Sequence, residues 1–134
     1  AGTSAHQTDT RSDKTMPKAK FVPFDSVEHQ QKRPGVLLTS LVDGDTGATQ
    51  ISSGVAEFEV GASAPTHYHD AEESVIAIEG EGLMVIDGKE HIVHPNDAAF
   101  ISPGAHHSIA NHGDTPFKIS WTYASINWST TPVE

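Results

Sequence analysis

GASAPTHYHDAEESVIAIEG, residues 61–80, is the stretch on which the reading of this chain turns. His67 and His69 are two residues apart, and Glu73 follows four residues later. Side chains alternate between the two faces of an extended strand, so three odd-numbered positions on one continuous strand share a face. Glu72, the neighbouring carboxylate, has the wrong parity. Two imidazoles and a carboxylate converging on one point make a donor set for a divalent metal of borderline hardness. A His-x-His pair alone is met more often in an exposed loop, so its surroundings decide.

Those surroundings are strands and turns. Val36–Val42 is apolar and ends at Asp43-Gly44-Asp45-Thr46-Gly47, a turn cluster. Val55–Val60 alternates, with Ala56, Phe58 and Val60 on one face, and Gly61 to Pro65 breaks it. Ser74–Glu79 is a short strand closed by Gly80-Glu81-Gly82. Leu83–Ile86 and Lys89–Val93 flank Asp87-Gly88, the strongest short-range signal for a hairpin. Ala98–Ile101, His107–Ala110 and Phe117–Tyr123 follow, separated by Pro103-Gly104 and His112-Gly113-Asp114. No stretch carries helical periodicity. Short strands punctuated by Gly and Pro predict an all-β sandwich or barrel.

Downstream, a second pattern runs Asn96, five residues, Ser102, Pro103, Gly104, two residues, His107, three residues, Asn111. The first pattern runs Gly61, five residues, His67, Tyr68, His69, three residues, Glu73, six residues, Gly80. Together they resemble the two motifs of the cupin superfamily, with Glu81 to Pro95 as the short fifteen-residue spacer of small microbial cupins. The second motif departs from the family at two places, where Asn96 and Ser102 replace glycine and proline. Asn tolerates the left-handed backbone that such a glycine supplies, and Pro103 sits one place later. The resemblance covers residues 55–124. It implies a double-stranded β-helix, a jelly-roll cupin barrel. It also implies His67, His69, Glu73 and His107 as ligands of one divalent transition metal ion: Fe, Mn, Ni or Zn.

His106 competes with His107 for the last ligand place. The motif spacing selects His107, and strand neighbours face opposite ways. His91 and His94 are read as solvent-facing, and His6, His29 and His112 as surface residues. Tyr68 is expected outside the pocket, with Val75 and Ala77 as its apolar wall. Trp121 and Tyr123 face either the cavity or a partner. Small cupins pair through their outer strands, and Ile76 and Ile78 have the outward parity, so a homodimer is expected.

At 134 residues the chain suits one domain, residues 21–134, preceded over 1–20 by a polar stretch read as a disordered arm or a non-native remnant, with an arm that adds a strand to a neighbouring subunit as the other reading. Eight basic against eighteen acidic residues give a formal charge of -10, which disfavours nucleic acid and anionic membrane surfaces. No apolar run reaches bilayer-spanning length. Without cysteine there is no disulfide, thiolate catalysis or Cys-held metal. A cytoplasmic, soluble enzyme is the expectation.

Three imidazoles and one carboxylate leave a divalent ion with a charge of about +1 and open positions for a chelating oxygen donor. The resemblance implies a metal-dependent enzyme acting on a small enolisable, phenolic or carboxylate compound. A dioxygenase-type oxidoreductase is the first expectation, with Glu73 as catalytic residue. A non-oxidative lyase, decarboxylase or cyclase is the second, and a non-catalytic ligand-binding module the third. Small cupin lyases carry a tyrosine two places after the glutamate, where this chain has Val75, which counts against a lyase.

Overall fold

The structure, a computed structural model, describes residues 18–133. Most of the arm expected over 1–20 lies outside them. Eleven strands run in chain order: β1 (His29–Arg33), β2 (Val36–Val42), β3 (Ser52–Phe58), β4 (Ser63–His69), β5 (Glu73–Glu79), β6 (Gly82–Ile86), β7 (Lys89–Val93), β8 (Ala98–Ile101), β9 (His107–Asn111), β10 (Phe117–Tyr123) and β11 (Thr130–Pro132). They form two antiparallel sheets, ordered β1-β2-β3-β10-β5-β8 and β11-β4-β9-β6-β7. The expected jelly roll is what the chain forms. No helix among the described residues is long and apolar enough to cross a membrane.

The sheets face each other over an alternating core. On β10, Phe117, Ile119, Trp121 and Tyr123 point inward and are buried. On β5, Glu73, Val75 and Ala77 point inward, while Ile76 and Ile78 remain 44% and 46% exposed on the outer face. Gly54 on β3 is required by this packing. A Cβ there would lie 2.0 Å from the Thr39 carbonyl oxygen and 2.6 Å from the Trp121 ring.

Turn chemistry sets the registers. Ile86 pairs with Lys89 across Asp87-Gly88, whose φ angles of 50° and 85° are those of a tight two-residue hairpin. Asn96 adopts φ 79°, the left-handed turn expected where the family has glycine. Two expectations fail here. Gly61 to Pro65 is not a simple break, because β4 begins at Ser63. Nor do His67, His69 and Glu73 share one continuous strand. Residues 70–72 turn the chain, leaving both histidines in the five-stranded sheet and Glu73 in the six-stranded one. Asp70, exposed at that turn, accepts from Ser129 N–H at 2.8 Å and is free to do so because the strand ends before it.

Candidate metal centre and its cavity

Both sheets contribute to one spot. His67 lies opposite His107 in the β4–β9 register, and Tyr123 opposite Glu73 in the β10–β5 register. One nitrogen each from His67, His69 and His107 falls within 4.8 Å of the others. Glu73 Oε1 lies 3.5 Å from both His69 Nε2 and His107 Nε2. That oxygen is buried with no hydrogen-bond partner. A buried carboxylate oxygen without a donor is costly, and a cation among these groups removes the cost.

The imidazole orientations fit the same reading. His67 Nδ1 lies 2.6 Å from the Pro65 carbonyl oxygen and His107 Nδ1 2.9 Å from that of Ala105. His69 Nδ1 lies 3.0 Å from Thr130 Oγ1 and 3.3 Å from the Ser129 carbonyl oxygen. An Nδ1–H donated to a carbonyl fixes the tautomer in which Nε2 carries the lone pair, the usual arrangement behind metal-bound histidines. Burial pushes His67 and His69 below the ordinary histidine pKa, keeping both neutral and ready to ligate. Burial also lowers His107, but the Glu73 carboxylate and the Ala105 carbonyl outweigh it, so its pKa ends above the ordinary value.

His106 is exposed and stacks on Tyr68, ring centroids 5.2 Å apart, so both lie outside the centre as expected. Asn111, the last motif position, is a brace. Its Nδ2 donates to the Phe58 and Thr115 carbonyls at 2.9 and 2.8 Å, and its Oδ1 accepts from Gly113 N–H.

The centre forms the floor of a cavity of about 440 Å³. Trp121, Tyr123 and Trp128 wall it, and Trp128 stacks on Tyr123 with centroids 4.0 Å apart. Trp128 Nε1–H donates to Ser52 Oγ at 2.9 Å, which locks the indole in place. The Tyr123 hydroxyl lies 3.1 Å from His69 Nε2. Burial, with the Glu73 charge beside it, pushes the Tyr123 phenol far up, so it stays protonated and acts as a donor. Val75 and Ala77 do not line this cavity as the parity predicts. Val75 faces a second cavity and Ala77 is core, because the barrel interior is divided between two openings. The second cavity, about 310 Å³, is lined by Val75, Met84, Ile92, Ala99, His91 and Asp97 among others.

Trp128, Thr130 and Ser129 were not legible as site residues. They follow the second motif, and only their return along β4, with Thr130 opposite His69, brings them to the centre.

Residues 54–123, just over half of the chain, match the family described as Cupin domain. The chain is a cupin. Among its relatives is the tetracenomycin polyketide synthase protein TcmJ of Streptomyces glaucescens, 27% identical over 108 residues, 80% of this chain and 72% of TcmJ. Protein SchB of Streptomyces halstedii is 28% identical over 106 residues, 78% of this chain and 77% of SchB. The polyketide cyclase RemF of Streptomyces resistomycificus has the same fold, with a TM-score of 0.76, 22% identity and 87% of each chain covered.

Proposed function

We propose that this cupin is a metal-dependent enzyme that closes a ring in an enolisable or phenolic polycarbonyl compound without oxidising it. The observation that carries the reading is an aromatic-walled cavity, Trp121, Tyr123 and Trp128, standing on a floor of His67, His69 and Glu73. Flat aromatic walls favour a planar conjugated ligand. Two relatives, a polyketide synthase protein and a polyketide cyclase by name, support the same substrate class.

His67, His69, His107 and Glu73 would hold the ion. When bound, such an ion supplies Lewis acidity that lowers the pKa of a chelated dicarbonyl. The rest falls to the chain. The aromatic walls hold the conjugated chain flat and keep water out. The Tyr123 hydroxyl, protonated throughout, donates to a substrate carbonyl oxygen once His69 Nε2 is engaged elsewhere. Glu73, the only carboxylate lining the cavity among the described residues, takes the proton from the carbon between two carbonyls. That carbon bonds to the carbon of a third carbonyl farther along the substrate chain, whose C–O π bond breaks, and the proton passes to the oxygen there. Loss of water completes the ring, and no electron acceptor is needed.

The test is a substrate panel of linear triketones, flavonols and catechols under air and under argon. Dehydrated cyclic product at equal rates in both atmospheres supports the proposal. Oxygen uptake that stops in Glu73→Ala replaces it with the dioxygenase-type reaction. Binding without turnover leaves a ligand-binding module.

We further propose a homodimer formed through the outer face of β5 and β8. Ile76, Ile78 and Phe100 are 44%, 46% and 64% exposed there, and Ile76 and Ser74 pair with Ala98 and Phe100 in one patch. Light scattering should return twice the 14.3 kDa chain mass, and the chain mass itself would reject the dimer.

A further inference from the structure

We propose that the ligand of the aromatic cavity carries an anionic group at the end away from the histidines, and that Lys32 and Arg33 recognise it. The inference rests on the cavity being the binding site, as the proposed function holds, but not on any reaction there.

The argument begins with charge. Acidic residues outnumber basic ones eighteen to eight in this chain. The cavity inverts that ratio. Among the described residues its lining holds Lys32, Arg33 and a single carboxylate, Glu73, at the floor among the histidines. Among the described residues the second cavity has no Lys or Arg, and its charged lining residue is Asp97. Two cations at the mouth of an apolar cleft focus the field and favour an anion there, all the more on a molecule that repels anions elsewhere.

Position supports it. Lys32 and Arg33 sit on β1, the edge of the six-stranded sheet, and Thr130 and Pro132 of β11 line the cavity from the edge of the other sheet. The mouth is the gap between these two edges. β1 lies four strand spacings from β5, which carries Glu73. Four spacings come to about 19 Å along the sheet, which is an upper bound on the span of a ligand engaging both ends. Between them the wall is formed by the Trp121, Tyr123 and Trp128 side chains, which suits a flat apolar body with its charge at the far end.

Both tryptophans of the chain line the cavity, so intrinsic fluorescence reports occupancy without any turnover. The probes are anthracene-2-carboxylate and its uncharged methyl ester, titrated into the chelator-treated and the metal-loaded protein. In the unaltered chain the carboxylate should bind about tenfold more tightly than the ester, and the gap should shrink between about 20 and 300 mM salt. K32Q/R33Q should bring the carboxylate down to the ester while leaving the ester where it was. K32E/R33E should reverse the preference. His67→Ala should leave the gap intact. The proposal is overturned if the gap survives K32Q/R33Q, if it disappears in His67→Ala, if K32Q/R33Q loses both probes equally, or if neither probe quenches. Retention of the gap in a protein that turns over no substrate would sink the cyclase reading and leave this one standing.

Discussion

The barrel opens along two seams, and they have opposite characters. One lies between the edges β1 and β11, the other between the edges β7 and β8. The first leads to the His67 and His69 imidazoles with His107 beside them, to a carboxylate oxygen without a partner among the described residues, and to three aromatic side chains. The second leads to aliphatic side chains, with His91 and Asp97 at its lip. Val75 and Glu73 mark the division, two residues apart on β5 and turned into different cavities. One side of the barrel interior spends its burial on cohesion. The other holds buried polar groups that would be costly without a ligand.

This contrast can be broken most directly by removing one imidazole at each seam. If His107 is a ligand as proposed, His107→Ala should lower bound metal at least about tenfold. His91→Ala should leave metal content unchanged, as should His106→Ala. Elemental analysis of protein purified without added metal decides, and equal losses at both seams would abolish the distinction. Met84→Ala tests the other side. Met84 is 2% exposed and lines the second cavity, so its truncation should cost about 2–4 kcal/mol in chemical denaturation. Metal per folded chain should not change. A fall in metal content would mean that the seams are coupled through the β5 wall.

The imidazoles themselves sharpen the contrast. In metal-free protein followed by NMR, His107 should titrate above the ordinary 6.5, and His67 and His69 below it. Acidification therefore protonates His107 first. Glu73→Gln removes the carboxylate that raises His107, so its midpoint should move down, leaving burial to dominate. An unmoved midpoint would show that Glu73 does not govern it. The smallest effect is expected at a turn residue that precedes β8 and lines neither cavity. Asn96→Gly at φ 79° should change stability by less than about 1 kcal/mol, in the stabilising direction, since glycine adopts that backbone without strain.

Much of this was legible in the sequence, for identifiable reasons. Asp87-Gly88 carries its turn type in two residues, and Asn96 is one of the few side chains suited to replace a turn glycine. The alternation on β10 and β5 announces which side chains face inward. The parity argument for His67, His69 and Glu73 reached the right convergence by the wrong route. The three meet because two facing sheets turn their inner faces to each other, not because one strand carries them. What stayed illegible lacks a local signal. His29–Arg33, HQQKR, has no apolar alternation because it is an exposed edge, so neither β1 nor its two cations stood out. Thr130–Pro132 is three residues of edge strand whose pairing with β4 is set by the completed barrel.

The contacts holding His69 also impose an order of events on assembly. Its Nδ1 neighbours, Ser129 and Thr130, are 60 and 61 positions along the chain, and Trp128 joins Ser52 across 76. Contacts of such separation form late, after the loop entropy between them has been overcome by other pairings. The hairpin at Asp87-Gly88 can close early, whereas the imidazole that β11 orients waits for nearly the whole barrel. A nascent or partly folded chain thus presents His67 and His69 without their final tautomeric restraint and without His107 opposite. Capture of an ion by this site would then be a late checkpoint, open only to molecules that have already folded.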